Sequence, residues 1–191
     1  MQSGERDSAT GAEDWLTLVD EQDRRTGRAA KGHCHDGEGL LHRAFSVLLF
    51  NPAGELLLQQ RAAAKRLWGG YWSNSCCSHP RDGEAIADAA ERRVREELGL
   101  SVSLSYVYKF HYHARFGQAG AEHELCSVFV GCSQDSPAPD PDEVSAVRYI
   151  RADALGQELQ DVPGHFTPWF REEWQRLQSE HSVLLRSLTR A

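Results

Sequence analysis

Residues 72–80, with the sequence WSNSCCSHP, carry the densest concentration of reactive side chains in the chain. Two adjacent thiols, Cys76 and Cys77, stand before an imidazole, His79, with one residue between Cys77 and His79. The loop is polar and precedes a strongly helical segment, and a thiolate is favoured near a helix N-terminus. Cys77 is therefore a candidate nucleophile or acid/base group, although free cysteine is also often buried and inert.

Two carboxylates and three imidazoles offer a metal site. On an extended segment Glu122 and Glu124 face the same side, and two such charges need a cation unless one stays protonated. Together with His35, His42 and His79 they would suit a divalent ion with mixed nitrogen and oxygen ligands, namely Mn²⁺, Mg²⁺ or Zn²⁺. The alternative for the glutamates is a solvated strand end, and with nine histidines in the chain spacing alone does not identify a site.

Four basic residues are candidates for an anion site: Lys31, Arg61, Lys65 and Arg93. For any one of them taken alone, a solvated surface charge is the more common role. Trp169 and Tyr112 are aromatic residues whose usual place is the core.

Composition limits the function classes. The 191 residues are 40% hydrophobic and 26% charged, with a net charge of −7, which argues against a nucleic-acid binder but permits an anionic small substrate. No apolar run has the length of a membrane span, and residues 1–14 contain no apolar signal-peptide core. Five cysteines, an odd number, argue against a disulfide framework. We therefore expect a cytoplasmic protein, with Cys126 and Cys132 as buried fillers in or after an apolar strand.

Apolar periodicity predicts the order of the elements. Six strands are expected, over residues 15–20, 42–50, 55–61, 102–110, 123–130 and 144–150. Three helices are expected, over residues 84–98, 152–159 and 169–186. Residues 21–27 are expected to form a turn, and residues 32–39 a glycine-punctuated loop.

The first helix has recognisable end signals. Asp82 or Gly83 can cap its start, and Gly99 stands at its stop. Strands around a central helix, followed by a helical tail, indicate an α/β or α+β domain. We expect a disordered tail over residues 1–13 and a single domain over residues 14–186.

With these residues identified, the chain resembles the type I isopentenyl-diphosphate isomerases of the Nudix-fold superfamily. The matching stretches are HRAFSV (42–47), LLLQQR (56–61), SNSCCSHP (73–80), REELG (95–99), EHE (122–124) and TPWF (167–170). The CCSHP and EHE segments are specific, whereas REELG is common to all Nudix proteins. The resemblance implies a Nudix-type fold, a mixed β-sheet between helices, with an extra N-terminal strand and C-terminal helices.

The chain departs from the Nudix box at two positions. The frame fits at Glu84, Arg92, Val94, Glu96, Glu97 and Gly99. However, Ser78 replaces the first glycine, and Arg93 replaces a glutamate of the carboxylate cluster that hydrolases use for metal. A cation in that place favours the isomerase over a diphosphohydrolase, because a guanidinium can instead face a diphosphate.

The resemblance also implies residue roles. The implied ligands of Mg²⁺ or Mn²⁺, with Zn²⁺ as a further option, are His35, His42, His79, Glu122 and Glu124. The implied acid/base pair is Cys77 and Glu124, with Tyr112 beside Glu124. Trp169 would face the reacting carbons on a closing flap. The implied diphosphate contacts are Lys31, Arg61, Lys65 and Arg93. Glu97 and the Cys77 carbonyl would hold a second Mg²⁺ that bridges the diphosphate.

The implied reaction converts isopentenyl diphosphate to dimethylallyl diphosphate in isoprenoid biosynthesis, through a tertiary carbocation. The alternatives are a Nudix diphosphohydrolase and a metal or redox sensor using the thiols. We expect a monomer, with a dimer as the alternative, that acts on a small diphosphate and binds neither nucleic acid nor membrane.

Overall fold

The computed structural model describes residues 15–189, so the tail expected over residues 1–13 lies outside the described residues. The strands of this part form one mixed sheet: β1 (Trp15–Val19), β2 (Arg25–Ala30), β3 (His42–Phe50), β4 (Leu56–Arg61), β5 (Trp72–Ser73), β6 (Cys76–Ser78), β7 (Ser105–Arg115), β8 (Ala121–Cys132) and β9 (Val144–Ile150). The helices are α1 (Lys31–Cys34), α2 (Ile86–Leu98), α3 (Ala152–Asp161), α4 (Pro168–Ser179) and α5 (Ser182–Leu188), with a 3₁₀ turn at Pro163–His165.

β3 is the central strand of the sheet. It pairs in parallel with β8 along its whole length, from His42 opposite Glu124 to Phe50 opposite Cys132. On its other side it pairs antiparallel with β6, where Ser46 lies opposite Cys77. Its nearly continuous apolar sequence is typical of a strand covered on both faces.

Helices cover both faces of β3, which confirms the expected Nudix-type arrangement. Phe45 and Val47 belong to the apolar cluster under α2, together with Val94 of that helix. Ala44 and Leu48 face the opposite cluster, which is covered by the C-terminal helices. This alternation assigns odd-numbered residues of β3 to one core and even-numbered residues to the other.

The end of α2 is confirmed and its start is corrected. Gly99 adopts a left-handed conformation, φ +67°, and donates to the Arg95 carbonyl at 3.0 Å, as a terminating glycine does. The helix begins at Ile86 after an extended Ala85, and no side-chain cap bond is formed. Asp82 therefore does not cap the helix, and it accepts bonds from Thr17 and Arg25 instead.

Other boundaries differ where tertiary pairing overrides local sequence. Part of the expected turn at residues 21–27 is β2, because it pairs with β1. The expected loop at residues 32–39 begins with the last residues of α1, and the expected last helix divides into α4 and α5. β7 and β8 pair antiparallel and form a long two-stranded ribbon, and the residues on its outer face are polar. Cys132 lies exposed at the end of β8, so its assignment as a buried filler is wrong, whereas Cys126 is buried.

A carboxyl group lies inside the core behind the C-terminal helices. Glu173 of α4 is 0% exposed, and the hydroxyl of Ser46 offers its carboxyl group a hydrogen bond that offsets only part of the effect of burial. Burial raises the pKa of Glu173 to about 8, so the group is mostly protonated at neutral pH. No helix in the described part of the chain is long and apolar enough to cross a membrane.

A glycine controls the contact between the β7–β8 turn and the loop carrying His35. Gly120 has φ +141°, and a Cβ there would overlap the His35 carbonyl oxygen. Gly117 also has a positive φ, +58°, but open space surrounds it.

We predict that Gly120→Ala lowers the free energy of unfolding by roughly 3 kcal/mol or more, because the added methyl group causes backbone strain and overpacking. The control Gly117→Ala is expected to cost about 1 kcal/mol. Urea unfolding of both variants measures this difference, and equal losses would contradict the steric argument.

Candidate active site

Five side chains from four separate segments converge on one point: His35, His42, His79, Glu122 and Glu124. One nitrogen or oxygen of each lies within 4.8 Å of the corresponding atoms of the others. His35 follows α1, His42 opens β3 and His79 follows β6, while both glutamates project from β8. Because His42 and Glu124 are register partners, the parallel pairing of β3 with β8 brings an imidazole beside a carboxylate.

The surroundings of the imidazoles suit metal binding. The Nδ1 atoms of His35 and His42 lie 2.6 Å from the backbone carbonyl oxygens of Lys31 and Leu40. A carbonyl can only accept, so each Nδ1 carries a hydrogen, and in the neutral form of each ring Nε2 is the atom with a free lone pair. His42 Nε2 is buried with no hydrogen-bond partner among residues 15–189. Such an unpaired buried acceptor is costly unless a cation meets it, so the donor set fits a divalent ion.

The two glutamates have opposite electrostatic environments. Burial raises the pKa of Glu122, but the hydrogen bond and charge of His35 outweigh this effect and lower it to about 2. Burial, reinforced by the charge of Glu122, raises the pKa of Glu124 well above its usual value. His42 has a pKa lowered to about 4, chiefly by burial and next by His35. These directions favour an ionised Glu122 and a proton held on Glu124.

Glu124 also forms hydrogen bonds with two neighbouring side chains that line the pocket. The Tyr112 hydroxyl donates to Glu124 Oε2 at 2.5 Å, and His79 Nε2 lies 2.8 Å from Glu124 Oε1. Tyr112 stands opposite Glu124 in the β7–β8 ladder. The carboxyl group therefore lies between the ligand cluster and the phenol.

Cys77 and Cys76 point to opposite faces of β6. Cys77 lines the pocket, where Arg61 Nη1 donates to its Sγ at 3.7 Å, whereas Cys76 is fully buried in the cluster under α2. The expectation that the Cys77 environment favours a thiolate is wrong. The residue lies on a short strand, and burial raises its pKa to about 12. At neutral pH Cys77 is a protonated thiol that can donate a proton.

Trp169 forms one wall of the pocket. It is 2% exposed, its Nε1 donates to Asn74 Oδ1 at 3.2 Å, and Arg61 Cζ lies 5.4 Å from the centre of its ring. The residue belongs to α4, which is packed into the main core. Trp169 is therefore held as a packed wall of the pocket, and a closing movement of the segment that carries it stays a prediction.

A pocket of about 330 Å³ joins these groups. It is lined by all four of the basic residues expected at an anion site: Lys31, Arg61, Lys65 and Arg93. Lys65 and Arg93 both pair with Glu143, and Arg93 also pairs with Glu97 at 2.6 Å. Burial lowers the pKa of Lys65 to about 8, so it still carries a positive charge at neutral pH.

The residues implied for a second magnesium ion border the same pocket. Glu97 of α2 is 3% exposed, and Cys77 of β6 lines the same pocket. The guanidinium of Arg93 holds one oxygen of Glu97.

Sequence reasoning missed three residues of this region. Glu143 follows a proline- and aspartate-rich loop that looked like a connector, and its two basic partners are 50 and 78 residues away in sequence. Trp68 packs edge-on to Trp169, with ring centres 5.2 Å apart. Asn74 lies inside the SNSCCSHP stretch. Of the three, only Asn74 could have been identified from the sequence. It lies in a specific motif, and a polar residue that such a motif buries needs a hydrogen-bond partner.

Comparison with solved structures identifies the fold. Residues 40–170 match the NUDIX domain family. A Deinococcus radiodurans protein superposes with a TM-score of 0.70 at 21% identity, covering 85% of this chain and 98% of that one. A MutT protein from Methanosarcina mazei gives 0.61 at 19% identity, over 74% of this chain and 95% of that one. The chain is a member of the Nudix domain family.

Proteins of similar sequence identify the family within the Nudix domain proteins to which the chain belongs. A Photorhabdus laumondii protein named isopentenyl-diphosphate Delta-isomerase 1 is 42% identical over 168 residues, which are 87% of this chain and 96% of the relative. The isopentenyl-diphosphate Delta-isomerase of Burkholderia multivorans is 48% identical over 158 residues, 83% of this chain and 89% of the relative. The chain belongs to the isopentenyl-diphosphate Delta-isomerase family.

We predict that Mn²⁺ binds at the five-residue cluster and that Glu122→Gln weakens this binding by about tenfold or more, since it removes an anionic ligand. The affinity should increase as the pH rises, because binding requires His35 and Glu124 without their protons, and the pKa of each is raised. Isothermal titration calorimetry measures both effects. The control Glu172→Gln, on the outer side of α4, should match the wild type. Equal affinity in Glu122→Gln and wild type would exclude the cluster as the site.

Proposed function

We propose that the chain isomerises isopentenyl diphosphate to dimethylallyl diphosphate, with Cys77 and Glu124 as the acid/base pair. The observation that carries this proposal is that one small pocket is lined by a protonated thiol, by a carboxyl group that accepts a hydrogen bond from a phenol, and by four basic residues. That arrangement offers two proton-transfer groups from different strands to one substrate.

The reaction needs proton transfer at two carbons. Addition of a proton at C4 uses the electrons of the double bond and leaves a tertiary cation at C3. Loss of a proton from C2 then returns an electron pair and forms the new double bond. An unactivated alkene is a very weak base, so a well-placed acid is required. Cys77 and Glu124 serve the two carbons, and Tyr112 holds Glu124 in place through its hydroxyl.

The cation needs stabilisation without a group that would trap it. The indole of Trp169 supplies a π face, and such attraction is worth about 2 kcal/mol or more when water is excluded. The packing of Trp169 between Trp68, Tyr112 and Arg61 supports this role, because a fixed wall excludes water during the life of the cation.

His35, His42, His79, Glu122 and Glu124 would hold a Mg²⁺ or Mn²⁺ ion, with Zn²⁺ as a further option, and such an ion would increase the acidity of the carboxyl and phenol groups beside it. Glu97 and the Cys77 carbonyl would contribute to the binding of a second Mg²⁺ together with the diphosphate. Lys31, Arg61, Lys65 and Arg93 contact the diphosphate itself. Substrate binding then requires Arg93 to share its guanidinium between Glu97 and the phosphate.

The alternative of a Nudix diphosphohydrolase is less well supported. Arg93 pairs with both Glu96 and Glu97 of the Nudix box, so a cation neutralises the carboxylates that a hydrolase would use for metal. The alternative of a thiol-based metal sensor is weakened because the ligand cluster among the described residues contains no sulfur. We also propose one domain over residues 14–186 and a cytoplasmic monomer, in which the free thiols stay reduced.

Incubation with isopentenyl diphosphate and Mg²⁺ in deuterated water tests the proposal directly. The expected product is dimethylallyl diphosphate with solvent deuterium in the methyl group formed from C4, observed by NMR and mass spectrometry. Parallel incubation with nucleoside diphosphates should release no phosphate. Phosphate release without deuterium incorporation would favour the hydrolase and overturn the proposal.

The adjacent thiols provide a matched pair of variants. Cys77→Ala should lower kcat by about 100-fold or more, because it removes one proton-transfer group. Cys76→Ala should keep nearly full turnover and lose only about 1 kcal/mol of stability, because it truncates a core side chain on the other face. Steady-state kinetics and thermal unfolding separate the two effects. Similar losses of turnover in both variants would exclude a special role for Cys77.

A further inference from the structure

Three imidazoles cluster on the outer face of the β7–β8 ribbon: His111, His113 and His123, here named the surface imidazole cluster. His111 and His113 are exposed, and His123 is half-buried. The ring centre of His123 lies 5.1 Å from that of His111 and 4.7 Å from that of His113. These rings alternate with Tyr112, Glu122 and Glu124 along the same strands, so they face away from the pocket.

The closest pair has the geometry of a chelate. His123 Nε2 lies 3.0 Å from His111 Nε2. Two nitrogens at about 2.0–2.1 Å from one ion are roughly 3 Å apart when they occupy neighbouring coordination positions. Without an ion, one of the two nitrogens must carry a hydrogen toward the other. A metal ion takes the place of that hydrogen with little movement of either ring.

The backbone supports the ligand form of His123. Its Nδ1 lies 3.3 Å from the Gly39 carbonyl oxygen, so Nδ1 carries the hydrogen and Nε2 keeps its lone pair toward His111. A second carbonyl, that of Glu38, accepts from His113 Nε2 at 2.7 Å. Orientation of a histidine ligand by a carbonyl on its other nitrogen is a recurring feature of metal sites.

Nearby charges permit a cation at this place. Lys109 and Arg115 lie on the same strand face, but they pair with Asp23 and Glu38, respectively. The carboxylate of Glu38 also lies 4.0 Å from His113 Nε2. The local positive charge is therefore compensated.

We infer that His111 and His123 form a second metal site, separate from the pocket, that binds a late first-row divalent ion such as Zn²⁺, Ni²⁺ or Cu²⁺. Imidazole donors suit these ions, whereas Mg²⁺ prefers oxygen ligands. The surface site is therefore selective against the ion that the pocket uses with its diphosphate. Because the ligands lie on both strands, an ion here clamps β7 to β8 behind Glu122 and Glu124.

The test counts Zn²⁺ ions in buffer containing excess Mg²⁺, by equilibrium dialysis with elemental analysis. Wild type is expected to bind one more equivalent of Zn²⁺ than His111→Ala, with any Zn²⁺ in the pocket common to both. His111→Gln keeps a hydrogen-bond donor to His123 but lacks the imidazole, and it should lose the same equivalent. The control His165→Ala removes an exposed histidine outside the cluster and should match wild type.

Thermal unfolding gives a second readout, because a ligand of the folded state raises the melting temperature. Relative to its value in Mg²⁺ alone, the melting temperature should rise more on addition of Zn²⁺ for wild type than for His111→Ala. His123 is left unchanged, since it adjoins two pocket glutamates. Equal Zn²⁺ stoichiometry in wild type and both His111 variants would overturn the inference and leave a simple histidine–histidine hydrogen bond.

Discussion

The parallel pairing of β3 with β8 is the constraint on which the rest of the structure depends. It sets His42 beside Glu124, and the period of two along β8 then directs Glu122 to the same face. A slip of one residue would send both carboxylates to the opposite side of the sheet. The two buried faces of β3 oppose such a slip, since its odd and even residues fill two different cores. Packing far from the pocket thus determines the geometry of the ligand cluster.

Much of the fold follows from the sequence alone. The apolar run of β3, the helical period of α2 and the terminating Gly99 are local signals, and each of them predicted its element. The alternation at Glu122 and Glu124 likewise predicted a shared face. In contrast, β2 is recognisable only through its pairing with β1, because its own residues read as a turn.

The three histidines of the ligand cluster and the thiol of Cys77 show which properties of the site could not be predicted from the sequence. His35, His42 and His79 come from separate segments, and their spacing carried no information without a family resemblance. Cys77 was misjudged because its pKa depends on burial by distant elements, not on the loop around it. Glu143 was missed for the same reason, since its two basic partners lie far away in sequence. Local chemistry predicts which groups are present, but tertiary burial determines their protonation.

The buried carboxyl of Glu173 has a consequence for the range of conditions in which the chain folds. In the unfolded chain a glutamate ionises near its ordinary pKa of 4.5, whereas in the folded chain its pKa is about 8. The stability associated with this residue is fully present below pH 4.5, and it is lost as the pH rises toward 8. Glu173 therefore favours the folded state more strongly at acidic pH than at pH 8. As the pH rises over this range, the attachment of α4, the helix that carries Trp169, becomes weaker.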